Sequence, residues 1–376
     1  MGTGPAARHQ TEAARTAKIS SIPAPNAAQT RVDVPARTAY SPAGLHSRTE
    51  AAIVATARAK GSRGRLVYET PMGRMLTGPS EAVLAGSLFR PWRGKVQLLF
   101  TSPPFPLNRE KKYGNLHGQA FADWLAGFAP LFASCLTPDG SIVLELGNGW
   151  EPGRPTMSTT SLKALLAFQE AANLHLCQEF ICHNPARLPS PAQWVTVNRI
   201  RVKDSFTRLW WLSPTPYPKA DNRRVLTEYS ESMRRLLKRG TFNPGKRPSQ
   251  HHLSPTGFLT NNGGAIPPNV LVAPNSDVPI EPETVLPISN TASRDPYRRA
   301  CKEQGVPQHP AVMPEALVEF FVQFLTDEND VVLDPFAGSN TTGGVAERLG
   351  RRWVAVEANP DYADASRVRF TQRVAA

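Results

Sequence analysis

At 376 residues with 40% apolar content, the chain can bury one large α/β core with an insertion, and no apolar run approaches the roughly 20 residues of a membrane helix. Its four cysteines and eight histidines show no Cys-x-x-Cys pair and no metal-ligand spacing, which argues against a disulfide scaffold or a zinc centre and predicts reduced thiols. The net charge of +12 sits in two stretches, 1–64 and 219–250, each with nine basic and three acidic residues, so a polyanionic partner is expected for those stretches alone.

Residues 1–64 are rich in Ala, Pro, Ser, Thr and Arg without a sustained period, and read as a disordered basic leader. A loose DNA tether, a segment without function and an Arg-rich transit peptide are the readings left open for it. Order is expected from Leu66-Val67-Tyr68 onwards. The run Val96-Gln97-Leu98-Leu99-Phe100 predicts a buried strand ending in Thr101-Ser102-Pro103-Pro104-Phe105. The charged stretch 108–115 lacks apolar periodicity and reads as a mobile loop over a site. Phe121, Trp124, Leu125, Phe128, Leu131 and Phe132 recur at helical spacing, so a core-facing helix is expected over 121–136. A second helix is expected over 161–173. Strand signals stand at Leu174-His175-Leu176, Trp194-Val195-Thr196-Val197 and Leu209-Trp210-Trp211-Leu212. His117, His175 and His183 have no partner in sequence and read as structural.

Residues 219–289 differ in character. Arg223-Arg224, Arg234-Arg235 and Lys238-Arg239 are interleaved with Leu226, Tyr229, Met233, Leu236 and Leu237, which predicts a basic helix. A long loop follows, through Lys246-Arg247 to Pro267-Pro268, and loops of that length are usually functional or disordered. After an apolar helix over 317–325, Val331-Val332-Leu333 predicts a second buried strand. It ends in Asp334-Pro335-Phe336-Ala337-Gly338-Ser339-Asn340-Thr341-Thr342-Gly343. A helix over 345–349 and the strand Trp353-Val354-Ala355-Val356, closed by Glu357, complete the unit.

The two strand-ending loops carry the chemistry, because ligands of open α/β sheets sit at carboxyl-terminal strand ends. In the second loop Gly338 lets the backbone approach a ligand, and Glu357 follows at the spacing where a carboxylate meets ribose hydroxyls. Neither a three-glycine pyrophosphate fingerprint nor a P-loop is present, so the unit suits a nucleoside without a phosphate chain, such as S-adenosylmethionine. In the first loop two prolines hold the carbonyls of Ser102 and Pro103 rigidly outward as acceptors. With the Ser102 hydroxyl they can accept from an exocyclic amine and free its lone pair for attack, while Phe105 offers a stacking face to a flipped base. No cysteine follows a proline, which disfavours a covalent thiolate route.

These motifs resemble those of site-specific DNA methyltransferases that methylate amino groups, in particular the cytosine-N4 type of restriction–modification systems. Ser102-Pro103-Pro104-Phe105 is the form of the catalytic loop characteristic of that type, and its place before the cofactor loop matches the permuted order called the beta group. His309-Pro310-Ala311, Met313-Pro314-Glu315, the stretch 139–147 and Arg208-Leu209-Trp210-Trp211-Leu212-Ser213 resemble further segments of the group, and the likeness spans about residues 66 to 370. Three positions depart from it. Gly78-Pro79 stands where Gly-Asp is frequent, Asn340 where a second glycine is, and Pro214 where a lysine is.

The resemblance implies a Rossmann-like α/β methyltransferase sheet with circularly permuted motif order, built from 65–218 and 290–376 around a DNA-recognition insertion at 219–289. It implies catalysis by Ser102, Pro103, Pro104 and Phe105, without a metal. Cofactor contacts are expected from Ser80, His309, Asp334, Phe336, Gly338, Asn340, Thr341 and Glu357. DNA contacts are expected from Arg223, Arg224, Arg234, Arg235, Lys238, Arg239, Lys246 and Arg247. Expected partners are double-stranded DNA and a cognate restriction endonuclease, for a monomer in the bacterial cytoplasm. Adenine-N6 methylation, and a DNA-binding relative weakened at Pro79 and Pro214, stay open as alternatives.

Overall fold

A computed structural model describes residues 64–104, 116, 118–185, 187–242, 245–246, 252–253, 257–272 and 296–371. The leader, Phe105, the loop 108–115, His117, Arg247 and residues 273–295 lie outside the described residues.

The chain opens with the hairpin β1 (Arg65–Glu69) and β2 (Gly73–Thr77), followed by α1 (Ser80–Ala85), β3 (Val96–Thr101), α2 (Gly118–Cys135), β4 (Leu136–Leu146) and α3 (Thr160–Ala171). Next come β5 (His175–His183), β6 (Phe206–Ser213), α4 (Glu231–Arg239), β7 (Val270–Val272), α5 (Pro296–Gln304) and α6 (Glu315–Leu325). The chain closes with β8 (Val331–Asp334), α7 (Thr341–Arg348), β9 (Arg352–Glu357), α8 (Pro360–Ala365) and α9 (Val368–Thr371). Nine strands form one sheet in the order β1-β2-β9-β8-β3-β4-β6-β5-β7. β2, β9, β8, β3, β4, β5 and β7 run one way, and β1 and β6 run against them.

A parallel sheet must be covered on both faces, which explains why every residue of β3 and β8 is buried. Alternation along β3 sorts its side chains. Leu99 packs with Phe121, Leu125 and Phe128 of α2, while Leu98 and Phe100 pack with Phe321 and Val322 of α6. The sheet interleaves strands from both ends of the chain, since β8 lies between β3 and β9. The functional consequence is that β3, β4, β8 and β9 all end at one edge, with their last residues side by side. Among the described residues no helix is long and apolar enough to cross a membrane.

Three expectations change here. Trp194–Val197 does not form a strand. Gln193–Val197 closes a single π-helical turn, in which the Asn198 N–H donates to the Gln193 carbonyl at 2.8 Å. Its β-branched residues favour strands, yet they lie in the β5–β6 connection, away from the strand pairings that build the sheet. The basic helix is shorter than the charge pattern suggests. A 3-10 turn at Asn222–Val225 is separated from α4 by a bridge between Thr227 and Ala265, and Ser230 then caps α4 by accepting from the Met233 N–H at 3.1 Å. Finally, the 219–289 stretch is not wholly outside the sheet, because β7 returns to pair with β5 at its edge.

Candidate active site

Ser102 follows β3, Glu145 lies near the end of β4, and Asp334 and Glu357 end β8 and β9. The Asp334 carboxylate is buried and organises the second loop. Its Oδ1 accepts from the Thr101 hydroxyl at 2.7 Å and the Phe336 N–H at 3.1 Å, and its Oδ2 from the Thr342 hydroxyl at 2.7 Å. One carboxylate thereby ties the end of β3 to both ends of the loop. Burial pushes its carboxyl up to about 6, although the two hydroxyls and the N–H favour the charged form, and nearby Glu357 adds to the rise.

Glu357 is fixed by backbone, with Oε2 accepting from the Gly338 N–H and Oε1 from the Asn359 N–H, each at 2.8 Å. Each oxygen keeps a lone pair for a ligand hydroxyl. Gly338 has φ +51°, and a Cβ there would stand 2.8 Å from the His309 ring. Only glycine suits that turn. His309 is pinned from its other sides, its Nδ1 against the Ala311 carbonyl and its ring edge-on to Tyr362.

A cavity of about 440 Å³ joins the two loops, running from Ser102, Glu145 and Thr207 to His309, Gly338 and Ser339. That volume is within the range of small-molecule sites. Phe336 lines it, with its ring braced on Trp124, Phe128 and Phe132. At the Ser102 end the burial of Glu145 raises its carboxyl above the usual range, while the hydroxyls of Ser102 and Thr207 and the charge of Arg187 oppose the rise. Thr207 Oγ1 donates to Glu145 Oε1 at 3.1 Å. Cys182 also lines the cavity, but burial and the Glu145 charge push its thiol up to about 12. It stays protonated at neutral pH and is no thiolate nucleophile.

The model of the DNA methylase family matches residues 96–368. The chain belongs to the DNA methylase family. It is 39% identical over 305 residues to the Type II methyltransferase M.PvuII of Proteus hauseri, covering 81% of this chain and 85% of that protein. It is also similar to the solved structure of the PvuII DNA methyltransferase (cytosine-N4-specific), with a TM-score of 0.62 and 34% identity over 83% of this chain and 91% of the other. A shorter stretch of 68 residues, 18% of this chain and 25% of the relative, is 45% identical to M2.DpnII of Streptococcus pneumoniae.

In this DNA methylase several expected site residues have other duties. Asn340 faces inward and is fully buried. It adopts φ +53°, caps α7 by accepting from the Gly343 N–H at 3.1 Å, and donates to the Tyr68 hydroxyl at 3.1 Å. It shapes the loop and does not face the cavity. Ser80 is likewise buried, its hydroxyl donating to the Pro335 carbonyl, so it links α1 to the cofactor loop. Thr341, Phe336, Gly338, His309 and Asp334 line the cavity. Pro214 follows the end of β6 at the opposite edge of the sheet and bears on neither loop.

The arginine pair at 223 and 224 is also at that opposite edge, beside the end of α6, because the Asp221 N–H donates to the Phe324 carbonyl at 2.9 Å. Arg223 grips Asp221 through two nitrogens at 2.7 and 2.8 Å. Arg224 donates to the Thr326 carbonyl at 2.7 Å and pairs with Asp327. The Arg224 guanidinium thus fastens the insertion to the segment between α6 and β8, while Arg223 stays exposed beside Asp221. On α4, Arg234 pairs with Glu228 at 2.6 Å and Arg235 with Glu231 at 3.3 Å, while Lys238 and Arg239 occupy its exposed last turn. Lys246 stands in the short strand Gly245–Lys246.

Sequence reasoning missed Glu145, Thr207, Arg187 and Arg298, all lining the cavity. Glu145 had a legible signal, being the one acid within the apolar run 141–146 of a strand. Arg298 has a buried Nε without a hydrogen-bond partner among the described residues, and nothing in the sequence marks it.

Proposed function

We propose that this enzyme transfers a methyl group from S-adenosylmethionine to the N4 amino group of a cytosine flipped out of duplex DNA, as the modification half of a restriction–modification system. The observation that supports the reading is the junction of Ser102, which opens the Ser-Pro-Pro loop, with the Glu145 carboxylate in the same cavity as the Asp334–Gly338 loop. The printed specificity of the similar solved methyltransferase, cytosine-N4, agrees with the Ser-Pro-Pro form of the loop.

The residues fit the cofactor. Glu357, bonded to the cavity-lining Gly338, accepts from the ribose hydroxyls, Phe336 offers its ring to the base, and Arg298, whose buried Nε has no partner among the described residues, meets the carboxylate. S-adenosylmethionine, when bound, supplies an electrophilic methyl group on a sulfonium. At the other end the Ser102 hydroxyl and the Pro103 carbonyl accept the two amine N–H bonds of the target, with Phe105 as the stacking face. Transfer would break the sulfur–methyl bond, leaving a neutral thioether, and the methylated amine nitrogen would have a proton to lose. Ser102 Oγ takes that proton and passes its own to Glu145, whose raised carboxyl makes it a better acceptor than an ordinary glutamate. The main contribution is positioning of the amine in line with the methyl group. The exposed cations of α4, with Lys246 and Arg247, contact the DNA backbone. The protein acts as a monomer in the bacterial cytoplasm.

The test is methylation of mixed genomic DNA with labelled S-adenosylmethionine, followed by mass analysis of the digested nucleosides. N4-methylcytosine is the expected product. N6-methyladenine would overturn the base assignment, and no methylated base beside a working control enzyme would overturn the activity.

A further inference from the structure

The connection between β5 and β6 has a composition that the cavity does not use. It leaves the end of β5 and returns to the start of β6, where Leu146 pairs with Arg208, so it stands at the edge that carries Ser102 and Glu145. Its two stems line the mouth of the cavity, with Asn184 and Arg187 on one side and Phe206 and Thr207 on the other. Between them Leu188 is 80% exposed, Val197 66%, Ile200 60% and Val202 88%. Large aliphatic side chains this exposed, clustered beside a site, mark a contact surface.

The backbone beneath them is well tied. The Asn184 N–H donates to the Ser205 carbonyl at 2.6 Å and closes the neck. The N–H groups of Ile200 and Arg201 both donate to the Trp194 carbonyl, at 3.0 and 3.2 Å, and Gln193 Nε2 donates to Asn198 Oδ1 at 2.7 Å. Lys203 Nζ donates to the Pro185 carbonyl at 2.9 Å. The connection therefore holds its apolar residues outward on a fixed knuckle. Charge identifies what they meet. The tip reads Arg199-Ile200-Arg201-Val202-Lys203, in which Arg201 pairs with Asp204 at 3.4 Å and Lys203 Nζ is held on the Pro185 carbonyl, so Arg199 is the exposed cation beside the two aliphatic residues. An exposed apolar tip with a cation beside it suits a stacked, polyanionic partner.

We infer that Ile200 and Val202 form a wedge that enters the DNA stack at the space vacated by the flipped base, with Arg199 on a flanking phosphate. This rests on the reading of the cavity as a flipped-base pocket. Unstacking a base pair is costly, and aliphatic side chains inserted between base steps offset that cost elsewhere in DNA recognition. The wedge thus acts on extrusion of the base and not on the transfer itself.

The test is the double variant I200A/V202A in single-turnover methylation of two duplexes bearing the site that the wild-type protein modifies. In one the target is normally paired, and in the other its partner nucleotide is abasic, so that extrusion is already easy. The expected result is a loss of about tenfold or more on the paired duplex, less than about threefold on the abasic one, and recovery in I200L/V202L. Equal losses on both duplexes, or none on either, would overturn the wedge while leaving the enzyme reading intact. Failure of the wild-type protein to methylate either duplex would overturn both.

Discussion

Asp334→Asn separates what the buried carboxylate does for the fold from what it does for the site. Asn keeps the size of the side chain and an oxygen for the Thr101 hydroxyl and the Phe336 N–H, while the Thr342 hydroxyl can turn and accept from the new amide. The charge is what disappears. A carboxyl group raised in the folded state from 3.8 to about 6 stabilises the protein below the lower value, and that stabilisation is lost as pH rises through the higher one. The full difference is about 3 kcal/mol, of which roughly 1–2 kcal/mol falls between about pH 5 and pH 7.5. Wild-type protein must lose this amount over that interval, and the Asn variant must not. Urea unfolding of both proteins at the two pH values measures it, and the difference between them cancels the other titrating groups. The variant should gain on the wild type by roughly 1–2 kcal/mol at the higher pH. Its affinity for S-adenosylmethionine should nevertheless fall by about tenfold or more, because charge-assisted bonds that shape the loop are weakened. A stability difference that stays constant with pH would refute the reasoning that burial dominates at Asp334.

Glu145→Gln should lower the single-turnover methylation rate by about 100-fold or more while leaving cofactor affinity within about twofold. Because the raised carboxyl must be ionised to accept a proton, the wild-type rate should climb with pH through an acid limb that the variant lacks, as a pH–rate profile would show. Gly338→Ala forces a Cβ to 2.8 Å from the His309 ring at a positive φ. Calorimetric titration should find cofactor binding weakened by about tenfold, with a strain cost of about 1–2 kcal/mol in unfolding. Asn340→Ala removes the cap on α7 and should cost about 2 kcal/mol in denaturant unfolding, with cofactor affinity unchanged once the variant is folded.

The two strands that end in functional loops were legible because each is a mainly apolar run stopped by polar residues, and β3 and β8 begin where those runs do and end one residue beyond them. The same pattern failed at Trp194–Val197, where the β-branched run lies in a connection and propensity without pairing makes no strand. Charge runs are ambiguous for a related reason. Arg224 looks like a nucleic-acid contact in one dimension, yet its partner Asp327 is brought to it only by folding. Asn340 was read as a departure in a cofactor loop, because sequence cannot show that its amide turns back to Tyr68, 272 residues away.

Glu145 and Asp334 carry the larger lesson. Both are acids at the carboxyl ends of neighbouring parallel regions of one sheet, and burial raises both, so each makes the fold less stable at neutral pH than a neutral side chain would. A fold does not need two such groups beside one cavity. Asp334 draws hydroxyls and an N–H into the shape of a loop, and Glu145 holds a hydroxyl where a proton has to go. The edge of the sheet opposite them is also rich in charge, but there Asp327 and Asp330 are matched by Lys219 and Arg224 and hold the chain together. Ion pairs that close on themselves are structural, whereas acids held by hydroxyls beside an open cavity, without an ion-paired partner, are placed for a ligand. That contrast, more than any single motif, assigns chemistry to one edge and anchoring to the other.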